Sequence, residues 1–238
     1  MTRIFSERKR PIVEAIGQIF VILSMIGAIA YGVGLYPEGI LWQALVKMSA
    51  VSFLVLFVGI NLRSFTHFLL LLALVASVTG DVMLVLPQDG AFLYGLMAFG
   101  VAHIIFILMY LINGQRFDRI SASRLRYVLL LWAFAFVAGF WMYDALGEMR
   151  NYVLGYTAML VLMASTAILS RFPPRLVGIG AVLFVFSDAA LGARQFMSVP
   201  EFVGYFVWAS YYLSQFMVTL GVMLTDDRPA YSGGYRFD

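Results

Sequence analysis

The sequence predicts an all-α fold: a polytopic membrane protein built as an eight-transmembrane-helix bundle, with both termini cytoplasmic. Three observations carry this. Of the 238 residues 62% are hydrophobic and only 12% are charged, with mean hydropathy +0.90, whereas soluble domains carry about 25% charge. Apolar runs of about 20 residues, the length of a spanning helix, recur eight times. The Lys and Arg residues then fall almost wholly on one side of the resulting zigzag. Membrane barrel strands would read instead as alternating runs of about ten residues. The chain has no cysteine, which excludes disulfides, thiolate metal sites and Cys nucleophiles. No polar stretch is long enough to fold apart, so residues 1–238 read as a single integral membrane domain.

The first run, 12–34, follows a basic segment from Arg3 to Arg10 that resembles the start of a signal peptide, and Ala28-Ile-Ala30 resembles a cleavage site. The apolar stretch reaches Leu35, too long for most signal peptides, so an uncleaved first span is expected. Tyr36-Pro-Glu-Gly39 turns the chain into the second span, 40–60, and Asn61-Leu-Arg63 into the third, 66–86. Pro87-Gln-Asp-Gly90 leads to the fourth, 91–112. The fifth, 125–143, and the sixth, 151–169, follow. Phe172-Pro-Pro-Arg175 opens the seventh, 175–193, and Ser198-Val-Pro-Glu201 the eighth, 202–224.

Sidedness follows from Lys and Arg. With the N-terminus inside, 13 of the 16 lie on inner segments: Arg3, Arg8, Lys9 and Arg10, then Arg63, the group Arg116, Arg119, Arg124 and Arg126, then Arg171, Arg175, Arg228 and Arg236. Arg150 and Arg194 are outside and Lys47 is within a span. The expected location is a bacterial cytoplasmic (inner) membrane.

Polar groups inside the spans mark the candidate site. Asp81 lies in Ser77-Val-Thr-Gly-Asp-Val-Met-Leu84, within an otherwise apolar or small run. A carboxylate at such depth costs about 3 kcal/mol even on lenient insertion scales and usually faces a protein interior or a wet cavity. Asp188 repeats the pattern 107 residues later in Ser187-Asp188-Ala-Ala-Leu191. Four crossings restore the chain's direction, so the recurrence suggests two four-span halves in parallel orientation. By helix rise, Asp81 and Asp188 sit roughly 8 Å below the outer ends of their spans and Lys47 roughly 10 Å. His103 stands near the middle of span four, and Tyr211, Tyr212 and Gln215 in the upper and middle part of span eight. Five spans thus place polar groups at depths that one outward-opening pocket would require.

Each group has a plainer alternative. Lys47 either snorkels to the headgroups or neutralises an aspartate. His103 alone would read as a packing histidine. Tyr211 and Tyr212 lie deeper than an interfacial belt, and Ser77, one turn before Asp81, shares its face or bonds its own backbone. No span has His-x-x-x-His or Glu-x-x-His spacing, so no metal site is expected. Gly-x-Ser-x-Gly, a phosphate-binding glycine loop and a basic nucleic-acid face are all absent from the sequence.

Taken together, the motifs resemble the YhhN-like integral membrane proteins, which include the lysoplasmalogenases. The resemblance rests on Gly80-Asp81-Val-Met-Leu84, on Phe92-x-x-Gly95-x-x-x-Phe99-x-x-x-His103, and on Tyr156 with Met163. It continues through Gly180-Ala181-x-x-Phe184-x-x-Ser187-Asp188-x-x-Leu191 to Tyr211-Tyr212-x-x-Gln215. Lys47 matches a lysine of that family, although Met48 stands where a proline is expected after it. The resemblance implies an enzyme that hydrolyses the vinyl ether of lysoplasmalogens, a lysophospholipid-type substrate taken from among membrane lipids, to a fatty aldehyde and glycerophosphoethanolamine or glycerophosphocholine, without a cofactor. Asp81 and Asp188 would divide acid and base roles, since two carboxylates in a poorly solvated site cannot both ionise cheaply. The competing class is a proton-coupled transporter using the same intramembrane Asp, Lys and His residues.

Overall fold

A computed structural model describes residues 11–226; the basic N-terminal segment and Arg228 and Arg236 lie outside the described residues. Eight helices within that range are long and apolar enough to cross a membrane. They are α1 (Pro11–Gly32), α2 (Ile40–Ile60), α3 (Phe65–Met83), α4 (Ala91–Ile112), α5 (Ala122–Met142), α6 (Arg150–Leu169), α7 (Ile179–Phe196) and α8 (Phe202–Asp226). Local chemistry sets several ends. The Ser64 hydroxyl caps α3 by accepting from the His67 amide at 3.2 Å. Ser121 caps α5 the same way, which satisfies donors that the first turn leaves orphaned.

Several ends differ from the sequence reading, two of them near the aspartates. Helix α3 stops at Met83 rather than 86, because Leu84-Val85-Leu86 continues apolar while its amides close tighter turns, Val85 N to Val82 O at 3.1 Å and Leu86 N to Met83 O at 3.3 Å. Asp81 is therefore only two residues from its helix end, about 3 Å. Helix α7 is preceded by a wide π-turn over Pro174–Gly178 and runs on to Phe196, so Asp188 lies about 12 Å from its end. The aspartates reach one site because the helix ends are staggered.

Consecutive helices pair as hairpins, α1 with α2, α3 with α4, α5 with α6 and α7 with α8, while α4 also packs on α6, and α8 on α2 and α3. Helix α8 is the most deeply embedded, and α5 the least, with only Leu131 and Met142 buried. Close approach of α3 and α4 depends on Gly80: a Cβ there would stand 2.7 Å from the Phe99 ring. Phe99 in turn packs edge-on against Phe184 and Tyr211, with centroids at 6.2 and 5.6 Å.

The end of the bundle opposite the aspartates is stitched by polar bonds. Asn113 donates to Thr66 Oγ1 at 3.1 Å. Arg171 donates its amide to the Asn113 carbonyl at 2.9 Å and its guanidinium to the Asn113 side chain. Arg124 donates from Nη1 to the Ile168 and Ser170 carbonyls at 2.8 and 2.7 Å. These bonds satisfy carbonyls that end α6 and tie α3, α4, α5 and α6 together.

Gly80→Ala is expected to lower the unfolding midpoint in detergent by the overpacking of Phe99, about 1–3 kcal/mol. Gly155→Ala, where a Cβ meets nothing within 4 Å, should leave stability unchanged or raise it. Equal effects at the two glycines would remove the close-approach argument. Sidedness has its own test in this cysteine-free chain. Asp89→Cys, in the loop between α3 and α4, should label from outside intact cells, and Asp118→Cys only after the membrane is opened; the reverse pattern would overturn the inside placement of the arginine-rich ends.

Candidate functional site

At the end where α2 and α4 begin, the bundle encloses a cavity of about 520 Å³ whose lining includes Lys47, Asp81, Asp188 and Tyr211. The two carboxyls line it together.

Asp81 is almost wholly buried and is held from two sides. Lys47 Nζ lies 3.2 Å from Oδ1 and 3.3 Å from the residue's own main-chain oxygen. That oxygen is open to the lysine because the Val85 amide bonds Val82 instead, so the ammonium caps the negative end of α3 as well as its carboxylate. Tyr211 donates its hydroxyl to Oδ2 at 2.6 Å. Of the two alternatives for Lys47, snorkelling and pairing, the structure shows pairing.

Asp188 has a different pair of partners. Tyr156 donates a hydrogen bond to its Oδ2, and His103 Nε2 lies 2.9 Å from the Tyr156 hydroxyl and 3.7 Å from the same carboxylate oxygen. His103 is fully buried and braced edge-on by Phe184. Lys47 stands on α2 and Tyr211 on α8, while Tyr156 stands on α6 and His103 on α4. Each aspartate is therefore gripped by the helix before its own and by the closing helix of the opposite half, Lys47 and Tyr211 for one, Tyr156 and His103 for the other.

The remaining predicted residues divide. Ser187 lines the cavity but donates to the Val207 carbonyl at 2.9 Å, joining α7 to α8. Ser77 is spent on the Ala73 carbonyl at 2.9 Å. Tyr212 turns away from the cavity to Ser24 Oγ at 2.9 Å, a bond that attaches α1. Gln215 is fully buried one turn below Tyr211. Among the described residues no three His, Asp or Glu converge as a metal site.

Sequence reasoning missed the mouth. Gln43, Arg194 and Trp208 also line the cavity. Gln43 is one turn before Lys47 and so on its face, a signal that was legible. Arg194 lies over Gly204, where a Cβ would stand 2.6 Å from its guanidinium. Also missed was a narrow slot of about 50 Å³ lined by Leu96, Phe134, Met142, Leu160 and other apolar side chains, which shares Leu84, Phe92, Phe99, Asp188 and Leu191 with the polar cavity.

Fold and site together define a polytopic helical membrane protein with two partnered aspartates in one intramembrane cavity. The chain belongs to the YhhN family, whose model matches residues 42–222, a range that holds every partner of both aspartates. It is similar to the lysoplasmalogenases of Mycobacterium bovis and Mycobacterium tuberculosis, 32% identical to each over 160 residues, 66% of this chain and 61% of theirs. It thus spans about three fifths of the length of these mycobacterial relatives. It is also similar to Lysoplasmalogenase TMEM86B of Rattus norvegicus, 29% identical over 182 residues, 76% of this chain and 73% of that protein. No solved structure matches it.

Removing Lys47 alone leaves a buried carboxylate without its counter-charge, a loss of about 3–5 kcal/mol. Lys47→Met should accordingly lower the unfolding midpoint, and Asp81→Asn added to it should recover most of the loss. A double variant no more stable than Lys47→Met would mean that the pair carries no coupling.

Proposed function

We propose that the chain is a lysoplasmalogenase-type hydrolase that cleaves the vinyl ether of a lysophospholipid in this cavity. The observation that carries the reading is the pair Asp81 and Asp188 in one cavity of about 520 Å³, whose lining passes from Lys47 and Arg194 to the apolar Leu84, Phe92, Phe99 and Leu191. A single-chain lipid with its phosphate at Arg194 and the start of its chain against Leu84, Phe92 and Phe99 brings its ether bond to the two carboxyls. Arg194 is six residues beyond Asp188 on α7, about 9 Å along the helix, and is the cation at the mouth for the phosphate.

The two environments divide the labour. Lys47 gives Asp81 a counter-charge, so Asp81 is the carboxylate that faces developing positive charge. Asp188, without a lysine, is the acid. Asp188 protonates the alkenyl carbon one removed from the ether oxygen, and the positive charge forms on the carbon bonded to that oxygen. Water adds there and yields a proton to Asp81, giving a hemiacetal. The bond to the glycerol oxygen then breaks. Asp81 passes its proton to that oxygen as Asp188 takes back the hydroxyl proton, leaving an aldehyde. Net consumption is one water. The division parallels paired carboxylates about an oxocarbenium-like centre in glycosidases.

The aspartate cavity lies at one end of the bundle, and bonds among Thr66, Asn113, Arg124 and Arg171 tie the opposite end.

Purified protein should release aldehyde from lysoplasmenylethanolamine. Asp81→Asn and Asp188→Asn should each slow turnover by about 10²–10⁴-fold, and the double variant by far less than the product of the two. Cleavage of an ester-linked lysophospholipid at the same rate would sink the mechanism, because ester hydrolysis needs no carbon protonation. Turnover surviving in both single variants would sink the site.

A further inference from the structure

Helix α5 packs chiefly on α6 and touches α7 little, and the space between the first half of α5 and α7 has a definite shape. A groove of about 740 Å³ runs between α5 and α7, walled by Leu131 and Phe134 on one side and Val182 and Phe186 on the other. Its deep end is closed where the Phe134 and Phe186 rings meet at 4.8 Å. Its shallow end is lined by Ser121, Arg124 and Arg175. No acidic residue lines it, and the nearby Asp118 is paired with Arg116 at 3.3 Å.

The dimensions are those of one lipid chain. Arg124 to Phe134 is ten residues, and Arg175 to Phe186 eleven, each about 15 Å along a helix. One leaflet of a hydrocarbon core about 30 Å thick has that depth. Both guanidiniums therefore stand at headgroup level while the ring pair stands near the bilayer midplane. Arg124 is fixed there by its two bonds to the end of α6, and Arg175 is exposed beside the π-turn. Basic groups at the mouth of an interhelical groove are a recognised headgroup arrangement.

We infer that the groove between α5 and α7 is a binding site for an anionic phospholipid of the leaflet on that side, with one acyl chain against Phe134 and Phe186 and its phosphate at Arg124 and Arg175. The site lies at the opposite end of the bundle from Asp81 and Asp188 and does not depend on the reaction proposed for them. The chain fills the space that keeps α5 from α7, so the lipid forms part of the contact between these helices.

Phosphatidylglycerol is the probe, measured by thermal unfolding in phosphatidylcholine nanodiscs with and without it, and by native mass spectrometry of detergent-purified protein to which it is added. Wild type should unfold at higher temperature in its presence and carry one tightly retained copy. Arg175→Gln, at an exposed position, should fold normally and bind about fivefold more weakly, the worth of one basic residue near an anionic surface. Val182→Trp fills the groove and should abolish retention without lowering the midpoint in phosphatidylcholine. If Val182→Trp fails to fold, glycerophosphoglycerol decides instead: lacking acyl chains, it should not compete for the site. Equal midpoints in the two lipids, undiminished binding by Arg175→Gln, or competition by glycerophosphoglycerol would each overturn the inference.

Discussion

The ion pair between Lys47 and Asp81 is the constraint on which the cavity end of the bundle depends. Neither charge is stable alone at that depth, and at 3.2 Å they neutralise each other. Holding them together fixes α2 against α3. Because the same ammonium also reaches the main-chain oxygen of Asp81, the pair fixes where α3 ends. Tyr211 then draws in α8, and its ring completes an aromatic wall with Phe99 and Phe184. One buried ion pair thus organises five helices, α2, α3, α4, α7 and α8.

Asp188 is held differently: the helix before its own offers Tyr156, where the helix before that of Asp81 offers Lys47. That single exchange, an ammonium for a phenol, separates the two aspartates chemically. One has a full counter-charge and a hydroxyl; the other has a hydroxyl shared with a histidine. Pairs of titratable groups in unlike surroundings are how one site supplies both an acid and a base. The two carboxyls line one cavity in unlike surroundings, and the acid and base roles proposed for them rest on that difference.

Much of this was legible in the sequence, for identifiable reasons. Spanning helices announce themselves because lipid-exposed and core residues are both apolar. Asp81, Asp188, Lys47 and His103 stood out against that background, as any charge or imidazole does. Ends were less legible: Leu84-Val85-Leu86 is apolar but not helical, and hydropathy does not register where hydrogen bonding stops. Neighbouring tyrosines were ambiguous too. Tyr211 and Tyr212 point about 100° apart on a helix, and only packing decides that the first faces Asp81 while the second reaches Ser24. Arg194 was read solely as a topology marker. The apolar slot was invisible, since its lining of Leu, Phe and Met has the composition of a lipid-facing surface.

The crossed grip on the aspartates also orders the protein's birth. Lys47 and Asp81 belong to adjacent helices, so as the ribosome delivers α2 and α3 in turn, the pair can close at once and enter the bilayer nearly neutral. Tyr211 arrives 130 residues after Asp81, when almost the whole chain is already inserted. His103 must likewise wait for Tyr156 and Asp188. Early charges are made safe locally, while neither carboxyl acquires its full set of partners until the opposite half is in place. A truncated or stalled chain therefore holds an aspartate that is tolerated by the membrane yet chemically unfinished.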